Sequence, residues 1–468
     1  MTSIKQILKN GKVDSEYNVY GWINTNRNQK KLVFISLNDG STVNNLQIVI
    51  GLSDIEQQNY KEFLMNLTKS VSLHVYGKLI LSPAKGQRVE MCCKITDIKI
   101  LGKVDTKTYP MSKKRHSLEF IREHPHLKVR TNIGAIVARI RNTCSFATHE
   151  FFQKKDFIYV HTPLITSNDC EGAGETFTIT TTHPVNKNVI LKEDLNTFKN
   201  DFFGKQAFLT VSGQLQVESY AMGLKNVYSF GPTFRAEKSN TSRHLAEFWM
   251  IEPEACFITF EELMILSESY LKFCINRVLE KNCDDLNLLN KFISKGIKNS
   301  LETIVKNKFK RLSYTEAIDY LQKHYTNKVE YELPKWGDDL NSEQEKYLTS
   351  LFGPTILYNY PKEIKSFYMK INPDGKTVQA MDIIVPGIGE IIGGSMREDK
   401  YEILKDVMVT KGLLKNGHLN WYLDLRKYGS CPHGGFGLGF ERLIMLVTGL
   451  KNIKDCIPFP RYPKHCIN

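Results

Sequence analysis

The sequence predicts an α+β protein: a small N-terminal β-barrel followed by a larger domain in which strands and helices alternate. Three observations predict it. Between Val19 and Leu101, short segments alternate apolar and polar residues with period two. Ile136, Val137, Ile140, Cys144, Ala147 and Phe151 then recur at helical spacing, ahead of a strand-like FIYVHTP. Beyond these, strand-like runs AFLTVS, VYSFGPTF and FWMIEPE precede helical tracts over Phe260 to His324 and Ser342 to Leu351. With 468 residues the chain exceeds what one hydrophobic core organises. The expected division is a barrel over 1–105, a linker over 106–133 and a second domain over 134–468, with a helical insert around 260–350.

Taken in order, VYGWI, LVFISL, LQIVI, SLHVYGKLI and VEMCCKITDIKIL are divided by turn signals such as Asn38-Asp39-Gly40 and Ala84-Lys85-Gly86. Five such strands make a closed or nearly closed barrel. A basic, aromatic-bearing barrel of this size fits the oligonucleotide-binding (OB) fold, whose open face stacks bases on aromatic rings and follows phosphates with cations. Arg27, Phe34 and Gln47 are the candidates for that face, with Phe34 equally readable as a residue of the barrel core. The stretch YPMSKKRHSLEFIREHPHLKVRTN (109–132) is dense in charge and histidine, and reads either as a hinge against another domain or a polyanion, or as a solvated linker.

Composition sets limits. Hydrophobic residues at 41% and charged residues at 24% exclude a disordered, collagen-like or coiled-coil chain. A net charge of +13 permits polyanion binding without demonstrating it. The ten cysteines form no CxxC pair, so zinc is not indicated and reduced thiols are expected. The first residues show neither a signal nor a transit peptide, and no run of about 18 apolar residues occurs. A soluble cytoplasmic protein without a membrane partner is expected.

Chemistry concentrates in two stretches. In the first, Phe234-Arg235-Ala236-Glu237 leads through a polar segment to Arg243-His244-Leu245-Ala246-Glu247-Phe248 and WMIEPE. Read as strand, loop, strand, it puts Arg235 and Glu237 on one face of the first strand, because residues two apart point the same way. Arg243 and His244 offer cations for phosphates, and Phe248 a ring for a base. In the second, Asp424 to Gly429 precedes HGGFGLGFERL, where glycines up to Gly439 let a strand lie flat against a ligand and Arg442 opens the following helix. Neither a Walker loop nor a Rossmann fingerprint fits this spacing.

Jointly, FRAE…RHLAEF and GFGLGFERL resemble motifs 2 and 3 of the class II aminoacyl-tRNA synthetases, and FIYVHTP resembles their motif 1. KRHSLEFIREHPHLKVRTN, DCEGAGETF, FGPTFRAEKSNTSRHLAEFWMIEPE, GIGEIIGGSMRE and IPFPR are most similar to the bacterial-type asparaginyl members of the aspartyl/asparaginyl subgroup. The resemblance implies a class II catalytic domain, an antiparallel sheet flanked by helices, behind an anticodon-binding barrel, in a homodimer. It implies ATP, Mg2+, L-asparagine and tRNA(Asn) as ligands. It puts the catalytic Arg235 on the α-phosphate and the substrate carboxylate, and gives the γ-phosphate to Arg442 and His244. Adenine would lie between Phe248 and Arg442, with Glu237 reading its amino group. Glu390 would bind magnesium; Asp382, eight residues earlier, is either its partner or a surface acid, the aspartyl relatives spacing the two acids one residue closer. Glu171 would pair with the α-ammonium, Gln214 would sit near it, and Arg397 would donate to the side-chain oxygen. Where aspartyl relatives place a lysine, this chain has Val217 and then Glu218. An amide offers one acceptor and one NH2 donor, so Arg397 on its oxygen and Glu218 on its nitrogen would favour asparagine. An aspartyl enzyme of relaxed tRNA choice, a synthetase-like asparagine synthetase and a non-catalytic RNA-binding paralogue are the alternatives; Val217 and Glu218, the barrel, and the retention of Arg235, Glu390 and Arg442 argue against them in turn.

Overall fold

The computed structural model describes residues 2–29, 31–112, 114, 116–167, 176–181, 198–325, 333–414, 417 and 419–467. It divides into two compact units, one of residues 1–139 with 282–292, the other of 140–281 with 293–467.

The first unit is the barrel. Its strands are β1 (Glu16–Asn28), β2 (Leu32–Asn38), β3 (Leu46–Gly51), β4 (Ser72–Leu81), β5 (Val89–Cys93) and β6 (Ile98–Gly102), ordered β1-β2-β3-β5-β4-β6, with β1 also paired to β4. That extra pairing closes five strands, and β6 adds to β4. The sequence presents β5 and β6 as one run; the 3-10 turn Ile95–Asp97 divides it. Closure depends on β1 having two partners: Glu16 to Trp22 pair with β4, and Trp22 to Asn28 pair with β2. A bulge between Ile23 and Thr25 bends the strand from one partner to the other. Inward residues such as Val19, Ile23, Val33, Ile35, Leu37, Ile48 and Leu73 fill the interior. The helix Ile4–Asn10, started by a Ser3/Gln6 capping box, packs Ile4 and Ile7 into that core.

Two departures from the expected division appear here. The 106–133 stretch belongs to the barrel unit together with 134–139, the start of the expected second domain, and so does Asn282–Phe292, drawn from the expected helical insert. Charge explains the second: Arg139 forks onto buried Asp285 at 2.7–3.2 Å and reaches the Gly40 carbonyl, while Asn44 donates to Asp284. Sequence separations of 146 and 240 residues hide such pairs from any local reading.

In the second unit β7 (Ile158–Tyr159) precedes a small sheet of β8 (Ile165–Thr166), β9 (Thr178–Ile179) and β10 (Ala207–Leu209). The main sheet adds β11 (Asn226–Phe234), β12 (Glu247–Cys256), β13 (Lys310–Ser313), β14 (Thr355–Pro361), β15 (Thr377–Val385), β16 (Gly389–Met396) and β17 (His433–Gly439). Its order is β13-β14-β15-β16-β17-β12-β11-β7. The six central strands are antiparallel, and only the edge pairs β13/β14 and β11/β7 are parallel. The predicted α+β class, barrel plus helix-flanked antiparallel sheet, is the observed one. The nine cysteines among the described residues are free thiols.

Helices Asn132–Gln153 and Phe260–Lys281 are joined through Glu150, which takes Arg277 Nε at 2.9 Å and Lys154 at 2.7 Å. Hydrogen bonds from Arg277 and then Lys154 hold its carboxyl down at about 2. A depressed carboxylate adds stability above its unfolded pKa and loses it as pH falls through the folded one. Glu150→Gln should therefore lower the urea midpoint at pH 6, with the gap to the parent protein narrowing steadily toward pH 3. A gap independent of pH would exclude this linkage.

Candidate active site

A cleft of about 700 Å³ opens over the middle of the main sheet. Its floor is made by Met250 of β12, Gly393 and Gly394 of β16, and Phe436 and Gly437 of β17. Glycines there keep the sheet surface low enough for a ligand to lie on it. Arg235, Gln214, Val217, Asp382, Glu390 and Arg397 all line this one cleft, so the structure gathers residues up to 183 positions apart (214 to 397).

At the phosphate-suited end, β11 stops at Phe234, so Arg235 and Glu237 stand on the connecting loop and not, as expected, on a strand face. Arg235 is still pinned, its amide donating to the Ala246 carbonyl at 3.0 Å and its guanidinium lying 5.5 Å from the Phe248 ring. Arg442 comes from the first turn of helix Phe440–Thr448 and donates to the Glu390 carbonyl at 2.9 Å and to its carboxylate at 3.2 Å. That helix is oriented by buried Glu441, which accepts from Trp249 N–H at 2.9 Å and pairs with Arg141 at 2.7 Å. Gly439 is its N-cap. Arg243 donates to Ser342 Oγ at 2.7 Å, and the Ser239 and Thr241 hydroxyls approach Nδ1 of His244 at 3.0 and 2.8 Å. Glu237 and His244 lie on the loop outside the cleft lining. Glu171 lies outside the described residues.

The two acids Asp382 and Glu390 converge because of a β-bulge. Asp382 pairs with Gly393 and Ile383 with Ile392, yet Ile384 pairs with Glu390, leaving Ile391 extra on β16. The extra residue rotates Glu390 onto the face carrying Asp382, and it accounts for the eight-residue spacing. Gly393 leaves the gap between them open: a Cβ there would sit 3.1 Å from Glu390 Oε1 and 3.3 Å from Asp382 Oδ1. Lys365 binds Asp382 at 2.7 Å. Burial pushes Asp382 up, with Lys365 opposing and Glu390 adding to the rise. Burial also raises Glu390, but Arg442 and Lys365 outweigh it and hold that carboxylate below its ordinary range. A third acid, Glu345 of helix Ser342–Phe352, accepts the Glu390 amide at 3.2 Å; burial and the Glu390 charge push it up to about 7. Neither Lys365 nor Glu345 was foreseen, since each reaches the acids only through tertiary folding.

At the other end Arg397 is 3% exposed and fully engaged on one side. Its Nε and Nη2 fork onto Glu254 at 3.0 and 2.9 Å, and Nη1 donates to Ser395 at 2.8 Å. Glu254 belongs to the WMIEPE strand noted in the sequence but not singled out there. Gly435 makes room for it, because a Cβ at that position would come within 2.1 Å of Glu254 Oε2. The expectation for Glu218 needs correction. Its carboxylate is completely enclosed, taking Tyr422 at 2.7 and 2.9 Å, Arg426 at 2.9 Å, Gln214 at 3.1 Å and His433 at 3.2 Å. With its lone pairs spent on these partners it does not line the cleft; the acid that does is Glu254. Gln214 lines the cleft and turns its amide to Glu218, while neighbouring Glu252 fastens the start of the same helix by accepting from Ser212, Gly213 N–H and Ser229.

In the barrel, Arg27, Phe34 and Gln47 share one outer face. Arg27 and Phe34 are register partners with the guanidinium 5.6 Å from the ring, and Gln47 donates to Glu90 at 3.0 Å. Val33 and Ile35 point into the core, so Phe34, partly exposed between them, is not a core residue.

Comparison with known proteins decides the family. Residues 117–463 match the model of "tRNA synthetases class II (D, K and N)", and residues 17–101 that of the "OB-fold nucleic acid binding domain". The chain is 51% identical to the asparagine–tRNA ligase of Treponema denticola, over 98% of both chains. The chain belongs to the asparagine–tRNA ligase family of class II synthetases. Members of that family also share its architecture across wide divergence: the asparaginyl-tRNA synthetase of Pyrococcus horikoshii, solved with asparaginyl-adenylate, superposes with a TM-score of 0.84 at 31% identity, over 100% of this chain and 99% of that one. The Entamoeba histolytica asparaginyl-tRNA synthetase, also solved with asparaginyl-adenylate, gives 0.82 at 28% identity over 98% of both.

Proposed function

We propose that the chain activates L-asparagine with ATP to asparaginyl-adenylate and transfers the asparaginyl group to the 3′ end of tRNA(Asn). The observation that carries the choice of amino acid is the buried Arg397–Glu254 fork at the cleft. A guanidinium has five N–H donors, three of which are spent on Glu254 and Ser395, leaving two for an amide oxygen. Each Glu254 oxygen accepts one bond from Arg397 and keeps a lone pair for an amide NH2. The pair is neutral and presents both a donor and an acceptor, which suits an amide; a second carboxylate would meet Glu254 unfavourably.

In activation the asparagine carboxylate attacks the α-phosphorus, forming the mixed anhydride as the bond to pyrophosphate breaks. The nucleophile is the substrate's own anion, so positioning and charge stabilisation carry the rate. Arg235 is assigned to bridge carboxylate and α-phosphate, Phe248 to adenine, and Arg442, Arg243 and His244 to the outer phosphates. Glu237 is assigned to the adenine amino group, Gly439 to the close approach of the nucleotide, and Glu171 and Gln214 to the α-ammonium end of the substrate. A ribose hydroxyl of the terminal tRNA nucleotide then attacks the acyl carbon and AMP leaves. Glu390 and Asp382 would hold Mg2+, which takes hard oxygen donors, with Gly393 leaving the space between the two carboxylates open; when bound, the ion would neutralise phosphate charge.

The test is exchange of labelled pyrophosphate into ATP with each amino acid in turn. Asparagine should be the only strong stimulant; a response to aspartate alone would overturn the reading. On the barrel, Arg27, Phe34 and Gln47 are assigned to the anticodon. Phe34→Ala should raise the KM for tRNA by about 10-fold, the scale of one lost base stack, and leave pyrophosphate exchange unaltered. A homodimer is supported by exposed Phe146, Ile158, Leu164 and Ile165 on and around the motif 1 segment, and sedimentation should show twice the chain mass. No helix among the described residues is long and apolar enough to cross a membrane, in keeping with a cytoplasmic enzyme.

A further inference from the structure

Behind the amino-acid end of the cleft lies a second charged layer whose residues do not line it. Glu218, Tyr422, Arg426 and His433 are all buried and converge on the Glu218 carboxylate. A carboxylate taken fully out of water is costly, and apolar packing of the same volume would be at least as stable. Stability is therefore a poor account of this cluster, and its geometry supplies a better one.

Arg397 has two acids within reach. Glu254 holds it by a fork at 2.9–3.0 Å, while Glu218 stands 3.8 Å from Nε. If Glu218 were unclaimed, it would compete with Glu254 and draw the guanidinium away from the cleft. Arg426 claims it, Nη2 to Oε2 at 2.9 Å, over the Tyr422 ring 4.3 Å away. The same guanidinium donates from Nε to the Glu398 carbonyl at 2.8 Å, one residue past Arg397. It thus grips both the rival carboxylate and the chain that carries Arg397. Neighbouring His433 contributes its carbonyl to the Arg397 amide at 2.9 Å.

We propose that Arg426, with Tyr422 and Glu218, is a specificity-determining positioning group that keeps Arg397 on Glu254 and aimed at the substrate amide. This rests on the reading of the cleft as an asparagine site. The cluster unites helix Gln214–Leu224, helix Asn420–Lys427 and β17, three segments remote in sequence.

The test is asparagine-dependent pyrophosphate exchange by the full chain, measuring KM for asparagine and for ATP separately, with aspartate as competing substrate. Arg426→Met should raise the asparagine KM by about 30-fold or more, the scale of truncating one member of a buried charge pair. The ATP KM should stay within about twofold, because no ATP-side residue touches the cluster. Arg426→Lys, which keeps the charge on Glu218, should recover most of the loss. The double variant Glu218→Gln with Arg426→Met, which leaves no orphan carboxylate, should bind asparagine better than Arg426→Met alone. Tyr422→Phe removes one hydroxyl without changing shape, so it reads the same effect if Arg426→Met does not fold, and should raise the asparagine KM about fivefold. Parallel rises in both KM values, or unchanged asparagine KM in Tyr422→Phe and Arg426→Met, would overturn the proposal. Failure of the unaltered enzyme to respond to asparagine would instead sink the asparagine reading itself.

Discussion

Arg235→Ala is expected to reduce pyrophosphate exchange by about 10²- to 10³-fold, the range found when a single preorganised donor to a developing charge is removed. The argument is geometric. The Arg235 backbone is fixed by its amide on Ala246, and the guanidinium lies over the Phe248 ring at 5.5 Å on the cleft wall. Glu390 and Arg442 sit on the same cleft end, and the Arg235 charge is close enough to help keep Glu390 ionised. Activation spreads charge between an incoming carboxylate and a phosphoryl group, and only a planar fork meets both. Arg235→Lys should therefore recover little. The loss should appear in kcat with asparagine binding less affected, because the interaction strengthens as the anhydride forms. A fall of less than about tenfold would remove Arg235 from the transition state.

How much of this was readable beforehand follows from what is local. The barrel strands announce themselves by period-two alternation, and Phe34 facing outward follows once Val33 and Ile35 are inward. Arg235, Phe248 and Arg442 stand in contiguous stretches whose residue types carry their chemistry, and all three reach the cleft or a residue lining it. What escaped was non-local. The bulge at Ile391, which puts Glu390 beside Asp382, is a property of strand pairing and leaves no mark in composition. Lys365 and Glu345 join the acids from elements 17 and 45 residues away. Glu218 was misplaced for the same reason: its neighbour Val217 does line the cleft, but three partners more than 200 residues downstream close over Glu218. Chemical reasoning required an acid opposite Arg397, and the fold supplies one in Glu254, from a strand two places along the sheet from β16.

That substitution of one acid for another makes Glu254 the residue on which the proposed choice of amino acid turns. Glu254→Gln keeps the shape and one acceptor oxygen but removes the charge, so Arg397 keeps only Glu218, 3.8 Å from Nε and shared with Arg426, as a counter-charge, and the balance facing the cleft turns positive. Asparagine then loses the charged acceptor for its NH2 while aspartate gains a partner for its second carboxylate oxygen. The kcat/KM for asparagine should fall by about 10²-fold, and aspartate-dependent exchange should rise, since sites built to pair one polar group discriminate steeply against its isostere. Breaking a buried ion pair also destabilises by about 3–5 kcal/mol, so activity must be compared below the lowered melting temperature. Gly435→Ala alters no charge, but its Cβ would meet the Glu254 carboxylate at 2.1 Å and the Pro253 backbone carbonyl at 2.2 Å, so the strand must shift along with the carboxylate. It should weaken asparagine binding with no gain for aspartate. If Glu254→Gln left the ratio of asparagine to aspartate activity unchanged, the fork would be structural only, and discrimination would have to come from groups on the other side of the cleft.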